Sequence, residues 1–388
     1  MDLTLTPELA AFRDEVRAFL EAHKDEHEAG APKDPKAWQR LLIDNGYAAR
    51  TIPKEYGGYG AEPDILKSRI IAEAFIAAGA PRGMAGQGIS MLVPTLLEVG
   101  SEEQKKRWIG PTLRGEVIWC QGYSEPGAGS DLANLQTKGV EQGEDFLISG
   151  QKIWTSTAAQ ADMMFCLVRT EPDKPKHEGI SYILFPMSTP GIEVRPLKTM
   201  TGHAEFNEVF FTDVRVPQAN VVGGRGRGWF VANTTLKHER GMLGDPNATE
   251  ARLKALIDLM KSETVDGQRI IDNPIFRDRL MQLQARVLSM KFNGLRVLTD
   301  DTAGLARLVV KLQGCELNHQ VAALAIDALG ELGILYHDGP HLRAKGGWQR
   351  NYMFDLGLII GGGTAQIQKN IISERGLGMP REPKVVGA

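Results

Sequence analysis

Two changes of hydrophobic period divide this chain. Up to about Glu116 the signals are helical: Thr6-Pro7 and Asp34-Pro35 each place a cap residue before a first-turn proline. Leu9, Phe12, Val16, Phe19 and Leu20 trace one face, and Ser101 with Gln104 forms a capping box ahead of Trp108. From Val117 to about Pro217 the texture becomes short β-branched and aromatic runs, "ISYILFPM", "GIEVRPL" and "EVFFTDVRVP", separated by Gly, Pro and Asp. After "GGRGRG", Gly223 to Gly228, the helical period returns and lasts to the end. Such an order predicts an α+β multidomain chain: an α-helical domain over 1–116, an antiparallel β domain over 117–222 and a second α-helical domain over 223–388. A length of 388 residues likewise exceeds what one core usually organises. "GGRGRG" is one short copy, so it reads as a hinge rather than an RNA-binding tract.

Charge narrows the function. With 45 basic and 48 acidic residues the formal net charge is -3, so no broad basic field is available to hold nucleic acid or an anionic membrane. Cys120, Cys166 and Cys315 lie far apart in apolar company and form neither a zinc pattern nor a disulfide framework. A reducing, cytoplasmic compartment is the expectation. The N-terminus carries acids where a signal peptide needs a basic patch, and no apolar run is long enough to span a bilayer. Small-molecule chemistry is the reading that remains.

Three stretches offer backbone to a ligand. "GYSEPGAGSDLA", Gly122 to Ala133, packs glycines, a proline and small polar residues into one turn, which suits a phosphate or a heteroaromatic edge as well as it suits a capped surface turn. "GQKIWTSTAAQAD" sets Trp154 beside Thr155 and Ser156; an indole followed by hydroxyls fits a flat conjugated ring, although a core tryptophan is the commoner fate. "IIGGGTAQIQKN", Ile359 to Asn370, opens a helix with three glycines, and bare first-turn N–H groups favour anions. No Gly-Lys-Ser/Thr follows those glycines, and no Gly-x-Gly-x-x-Gly follows a strand, so neither a P-loop nor a Rossmann unit is present.

Taken in order, "IPKEYGGYGAE" (Ile52 to Glu62), "GSEEQKKRWIGPTLRGE" (Gly100 to Glu116), "SEPGAGSD" (Ser124 to Asp131), "GQKIWTS" (Gly150 to Ser156), "EFNEVFFTDVRVP" (Glu205 to Pro217) and "GGTAQIQ" (Gly362 to Gln368) resemble the acyl-CoA dehydrogenase family over essentially the whole chain. The resemblance implies an N-terminal all-α domain, a central antiparallel β-barrel-like domain and a C-terminal domain of four-helix-bundle type, with FAD between the last two. It implies that Gln121, Tyr123, Ser124, Gly129 and Ser130 line the flavin and its pyrophosphate, that Trp154, Thr155 and Ser156 flank the ring, and that Thr364, Ala365 and Gln366 inherit cofactor contacts. Gly330, in "DALGELG" where Gln-x-x-Gly-Gly is usual, carries a weaker expectation of the same kind. Ser130, Arg240 and Gly363 take substrate contacts by the same match. An acyl-CoA substrate, an electron-transfer flavoprotein as acceptor, and a homodimer, homotetramer or heteromer with a related chain complete what the likeness implies.

The family reaction oxidises an acyl thioester to the 2-enoyl thioester, and its weakly acidic α-proton needs a desolvated carboxylate together with donors aimed at the enolate oxygen. Many members carry that Glu directly before the Gly-Thr, where this chain has Gly362. A smaller set carries a Glu immediately before a helix Arg, and Glu239-Arg240 in "TLKHERGML" matches. By that match Glu239 is the expected base, Arg240 approaches CoA, and the Gly362 N–H bonds the thioester oxygen. Vacated volume at Gly362 suggests a branched, cyclic or otherwise bulky acyl chain. A lone helical Glu beside Lys237, His238 and Arg240 is otherwise an ordinary solvated charge.

One departure concerns neighbouring subunits. Many members carry Arg-x-x-Phe-Gly-x-Pro reaching the FAD of a neighbour, whereas "QRIIDNP", Gln268 to Pro274, lacks both the Arg and the Phe at that spacing. Arg269, Arg277 and Arg279 are the alternatives. Two rival readings therefore stand beside the dehydrogenase: a non-catalytic or half-site subunit of a heteromer, marked by failure of the isolated chain to hold FAD, and a flavin monooxygenase on the same fold, marked by oxygen uptake without acyl-CoA. A helical scaffold protein ranks below these, because two loops and a helix start fit one cofactor in sequence order.

Overall fold

The computed structural model describes residues 5–28, 30–243, 245–299, 304–337 and 339–381. The chain forms two compact units: Met1–Leu197 with Glu205–Thr235, and Lys198–Ala204 with Leu236–Ala388.

The first unit starts with α1 (Pro7–Ala22), the two-residue strands β1 (His27–Glu28) and β2 (Ala31–Pro32), and helices α2 (Pro35–Asp44), α3 (Ile65–Ala77), α4 (Val93–Val99) and α5 (Glu102–Leu113). The starts of α1, α2 and α5 are those the sequence signals. Thr6 accepts from the Leu9 N–H and Asp34 from those of Lys36 and Ala37, each ahead of an N1 proline, while Ser101 and Gln104 bond reciprocally as a capping box. Val16, Phe19 and Leu20 bury against Trp38, Leu42, Ile70 and Phe75, with Leu9 and Phe12 at the margin of that cluster.

Eight strands follow in one sheet: β3 (Trp119–Gly122), β4 (Lys138–Gln142), β5 (Asp145–Ser156), β6 (Met163–Arg169), β7 (Ile180–Pro186), β8 (Ile192–Leu197), β9 (Phe206–Pro217) and β10 (Val221–Val222). The order is β10-β7-β6-β4-β5-β9-β8, with β3 added on β6. Pairing is antiparallel except for β3 on β6 and a single β4–β6 contact, both parallel. The β4–β5 hairpin separates β3 from β6 in the chain, a connection long enough to let them run the same way. β6 and β7 are buried on both faces, which is why "MMFCLVR" and "ISYILFP" show no alternation.

In the second unit α6 (Gly228–Leu243), whose first half belongs to the first unit, leads to α7 (Pro246–Ser262), the short hairpin β11 (Thr264–Val265) and β12 (Gln268–Arg269), α8 (Pro274–Thr299), α9 (Gly304–Leu329), α10 (Gly347–Ile360) and α11 (Ala365–Ile371). Helices α7 to α10 pack as a bundle around Leu253, Leu256, Met260, Leu280, Val287, Leu317, Val321, Leu324 and Trp348. Lys198–Ala204, the link from β8 to β9, also belongs to this unit, where the Tyr336 hydroxyl donates to the Thr201 carbonyl. Among the described residues no helix is long and apolar enough to cross a membrane, and no His, Cys, Asp or Glu group forms a metal site.

Candidate active site

β3 ends at Gly122, where a Cβ would lie 2.5 Å from the Met164 sulfur and 2.9 Å from that of Cys166, so close strand packing demands glycine there. Gly127 and Gly129 differ: neither has a positive φ, and an added Cβ would meet nothing within 4 Å. The fold of this unit does not require glycine at either position, and the bare backbone leaves room for a ligand to approach. The N–H groups of Gly127, Gly129 and Ser130 have no acceptor among the described residues, and Gly129 and Ser130 are exposed. Tyr123 turns inward instead, edge-on to Phe165 and Tyr182 at 6.0 and 6.3 Å, while Gln121 and Ser124 are half-buried.

This loop is fastened to β5. The Lys152 ammonium, fully buried, bonds the Glu125 carboxylate at 2.8 Å and the Tyr123 carbonyl at 3.1 Å. Glu125 also accepts from the backbone N–H groups of Gln136 and Thr137. Burial alone pushes the Glu125 carboxyl up, but the Lys152 charge and these hydrogen bonds together hold it below the usual range. One residue along, the Ile153 N–H donates to the Ser124 carbonyl at 2.9 Å. The two loops singled out in the sequence are thus one structure.

Trp154 follows at a register shift between β5 and β9, with φ at +60° and 58% of its surface exposed. A left-handed tryptophan is costly, and this one is held by the bulge and by the edge of Phe206 at 6.0 Å. The core fate is therefore excluded: the indole stands outside the sheet. Ser156 is half-buried, whereas Thr155 points inward at 1% exposure. The Thr155 Oγ1 and the Oδ1 of its cross-strand partner Asn207 are buried without partners among the described residues. Two unpaired polar atoms beside an outward tryptophan fit a polar aromatic ligand.

In the second unit a glycine turn precedes α11. Gly362 and Gly363 have φ of +63° and +96°, and Thr364 caps α11 by accepting from the Ile367 N–H at 3.2 Å. The carbonyls of the turn are drawn inward: Gln368 Nε2 donates to Gly362 O at 3.2 Å, and Lys311 Nζ to Gly363 O at 2.7 Å. From Gly362 through Gln366, Thr364 and Ala365 included, no backbone N–H finds an acceptor among the described residues. Five successive donors are left for a partner outside the turn, and those of Ala365 and Gln366 are the usual open donors of a helix start.

Glu239 and Arg240 lie in the helical run of α6, and their side chains are outside the described residues. Gly330 opens the 3-10 turn after α9 with φ of +55° and open space around it. Of the arginines offered for the altered "QRIIDNP" segment, Arg269 pairs with Asp272 and Arg279 with Asp327, while Arg277 is exposed.

Glu125, Lys152, Asn207, Lys311 and Gln368 were not anticipated. Glu125 and Lys152 stand inside the quoted motifs, and a charged residue in each of two apolar-flanked loops was the available signal. Lys311 interrupts the apolar run "ARLVVKLQGC", a position where an unpaired charge cannot stay buried.

Comparison with known proteins accords with this arrangement. The descriptions Acyl-CoA dehydrogenase, N-terminal domain, middle domain and C-terminal domain match residues 6–116, 120–214 and 226–377. The chain is 37% identical to acyl-CoA dehydrogenase IpdE1 of Mycolicibacterium smegmatis over 92% of its own length and 91% of the relative's. Among solved structures it resembles a Tcur3481-Tcur3483 steroid ACAD (TM-score 0.79, 29% identity, 98% of this chain and 100% of that one) and the ChsE4-ChsE5 complex from Mycobacterium tuberculosis (0.79, 30%, 98% and 100%). With three domain matches in order and a relative of this identity across nearly its whole length, the chain belongs to the acyl-CoA dehydrogenase family of flavin-linked oxidoreductases.

Proposed function

We propose that this protein introduces an α,β double bond into an acyl-CoA thioester with a bulky acyl chain, Glu239 removing the α-proton. The observation that carries the reading is the run of free N–H groups from Gly362 to Gln366, in a turn with no carboxylate of its own. Such a turn can hold a thioester oxygen but cannot take a proton, so the base comes from elsewhere, and Glu239 is the residue that matches a family pattern. FAD, when bound, supplies the acceptor for the β-hydride. Trp154 and Ser156 would hold its ring, and Gln121, Ser124, Gly129 and Ser130 its polar chain; the outward indole, the open space at Gly129 and the orphaned Thr155 hydroxyl fit such a group. Gly362 directs its N–H at the thioester carbonyl and so acidifies the α-carbon. Arg240 takes the CoA portion.

A polycyclic or steroid-derived acyl group is the class we favour, from the missing side chain at Gly362 and from the resemblance to a protein titled a steroid ACAD. The test is anaerobic bleaching of bound flavin by straight-chain, branched and steroid-type acyl-CoAs, with Glu239→Gln alongside. Bleaching by the bulky class in wild type alone supports the reading; bleaching of both proteins alike removes Glu239, and no bleaching by any thioester removes the reaction. Electron-transfer flavoprotein is the proposed acceptor of the electrons.

A second reading is that the chain works as one half of a heteromer. It is favoured by the altered "QRIIDNP" segment and by resemblance to two structures whose titles join two named chains. Flavin content of the chain purified alone, against the chain co-expressed with a related acyl-CoA dehydrogenase chain from the same source, separates the two readings.

A further inference from the structure

Behind the glycine turn lies a buried positive charge for which the reaction as described has no use. Lys311, on α9, is 2% exposed; its Nζ donates to Gly363 O at 2.7 Å and to Ile359 O, at the end of α10, at 3.1 Å. Lysine side chains are rarely buried to this degree, and this one has two carbonyl acceptors. Four residues on, Cys315 shares the Lys311 face of α9, and α9 packs on α10, where Asp355 lies one turn before Ile359. Asp355 is fully buried and paired with Arg252 of α7. Burial pushes the Cys315 thiol up, Lys311 draws it down and Asp355 raises it again, so both charges act within one low-dielectric interior. Asp355 pairs with Arg252 and Lys311 ends at the turn, and Cys315 feels the charge of both Asp355 and Lys311.

The contact at the turn has a chemical consequence. Lys311 bonds the carbonyl of the Gly363–Thr364 peptide and so strengthens the Thr364 N–H as a donor, while on the Gly362 N–H assigned to the thioester oxygen it acts by holding the turn and through space. With Gln368 drawing back Gly362 O, both carbonyls point inward and the donors point outward. We propose that Lys311 is a positioning residue for the thioester carbonyl: it fixes the turn in this donor-outward form and lends it positive charge that favours an enolate oxygen over a neutral carbonyl. The inference rests on the acyl-CoA reading above, and it adds a residue that touches no substrate.

The test separates charge from shape. Acetoacetyl-CoA, whose acidic C2–H can ionise to an enolate, and crotonyl-CoA, which stays neutral, are titrated into the flavin-loaded protein, and each dissociation constant is read from the flavin absorbance. Lys311→Gln keeps two N–H donors without charge; Lys311→Arg keeps the charge. The Gln variant is expected to lose about tenfold in affinity for acetoacetyl-CoA relative to crotonyl-CoA, and the Arg variant less than about twofold. Asp355→Asn, which removes the opposing carboxylate, is expected to shift the ratio the other way, and it carries the test should Lys311→Gln fail to fold. Equal loss for both ligands, an Arg variant as impaired as Gln, or an unmoved ratio in Asp355→Asn overturns the role of Lys311. If wild type binds neither thioester and no bulky acyl-CoA bleaches its flavin, the acyl-CoA reading itself falls and this role with it.

Discussion

The Lys152 ammonium sits 2.8 Å from the Glu125 carboxylate, with the lysine side chain wholly buried and the glutamate nearly so. This pair joins the Gly122–Asp131 loop to the strand that carries Trp154. Removing one partner leaves an uncompensated buried charge, which costs on the order of 3–5 kcal/mol. Lys152→Met is therefore expected to lower the thermal midpoint sharply and to release flavin, both measurable by following flavin fluorescence on heating. Glu125 titrates below its ordinary 4.5 when folded. Its contribution is thus complete above about pH 4.5 and declines as pH falls through the depressed value; stability against pH, compared between wild type and Glu125→Gln, checks the sign.

Trp154→Gly separates stability from ligand binding. Relief of a left-handed non-glycine residue gains roughly 1–2 kcal/mol, while loss of the Phe206 edge contact forfeits about 1 kcal/mol. The flavin-free protein is expected to move by less than about 1 kcal/mol in urea unfolding, and flavin affinity to fall by at least about tenfold. A large loss of stability with unchanged affinity would make the indole a structural residue.

Gly129 and Gly363 predict opposite behaviour for the same substitution. Gly129→Ala meets open space at an ordinary φ, so stability changes by no more than about 0.5 kcal/mol while flavin binding weakens. Gly363→Ala forces a Cβ to 2.5 Å from Gln368 Nε2 at a φ of +96°, and is expected to destabilise the protein by about 1–3 kcal/mol whether or not flavin is present. Paired chemical denaturation with and without added FAD distinguishes the two.

Glu239→Gln is expected to retain flavin and lose about a hundredfold or more of turnover, the usual contribution of a general base. Stopped-flow reduction of the flavin by a substrate acyl-CoA measures it; near-normal reduction removes Glu239 from the chemistry.

The helices were legible because their determinants are local. Thr6, Asp34 and Ser101 cap helices from within three residues of the N–H groups they satisfy, and no distant partner is needed. The sheet was legible as strands but not as pairings: β3 beside β6 depends on what the intervening hairpin does. Trp154 shows the limit most plainly. Its exposure follows from a register shift against β9, more than fifty residues away in sequence, and no window around "KIWTS" contains that strand. Lys152 and Glu125, like Lys311 and Gly363, are charges whose partners become visible only when the chain is folded.

The Lys198–Ala204 segment, lent by the sheet's own hairpin to the helical unit, bears on how the chain can be divided. The glycine-rich segment Gly223 to Gly228 expected as a hinge lies inside the first unit, and proteolysis there would cut one connection and leave the downstream fragment without the strap whose Thr201 carbonyl receives Tyr336. The two halves are threaded through one another in sequence, so neither a truncation nor a domain transplant at that segment yields an intact module. An exchange between related proteins keeps each module whole only if this strap travels with the helices it joins.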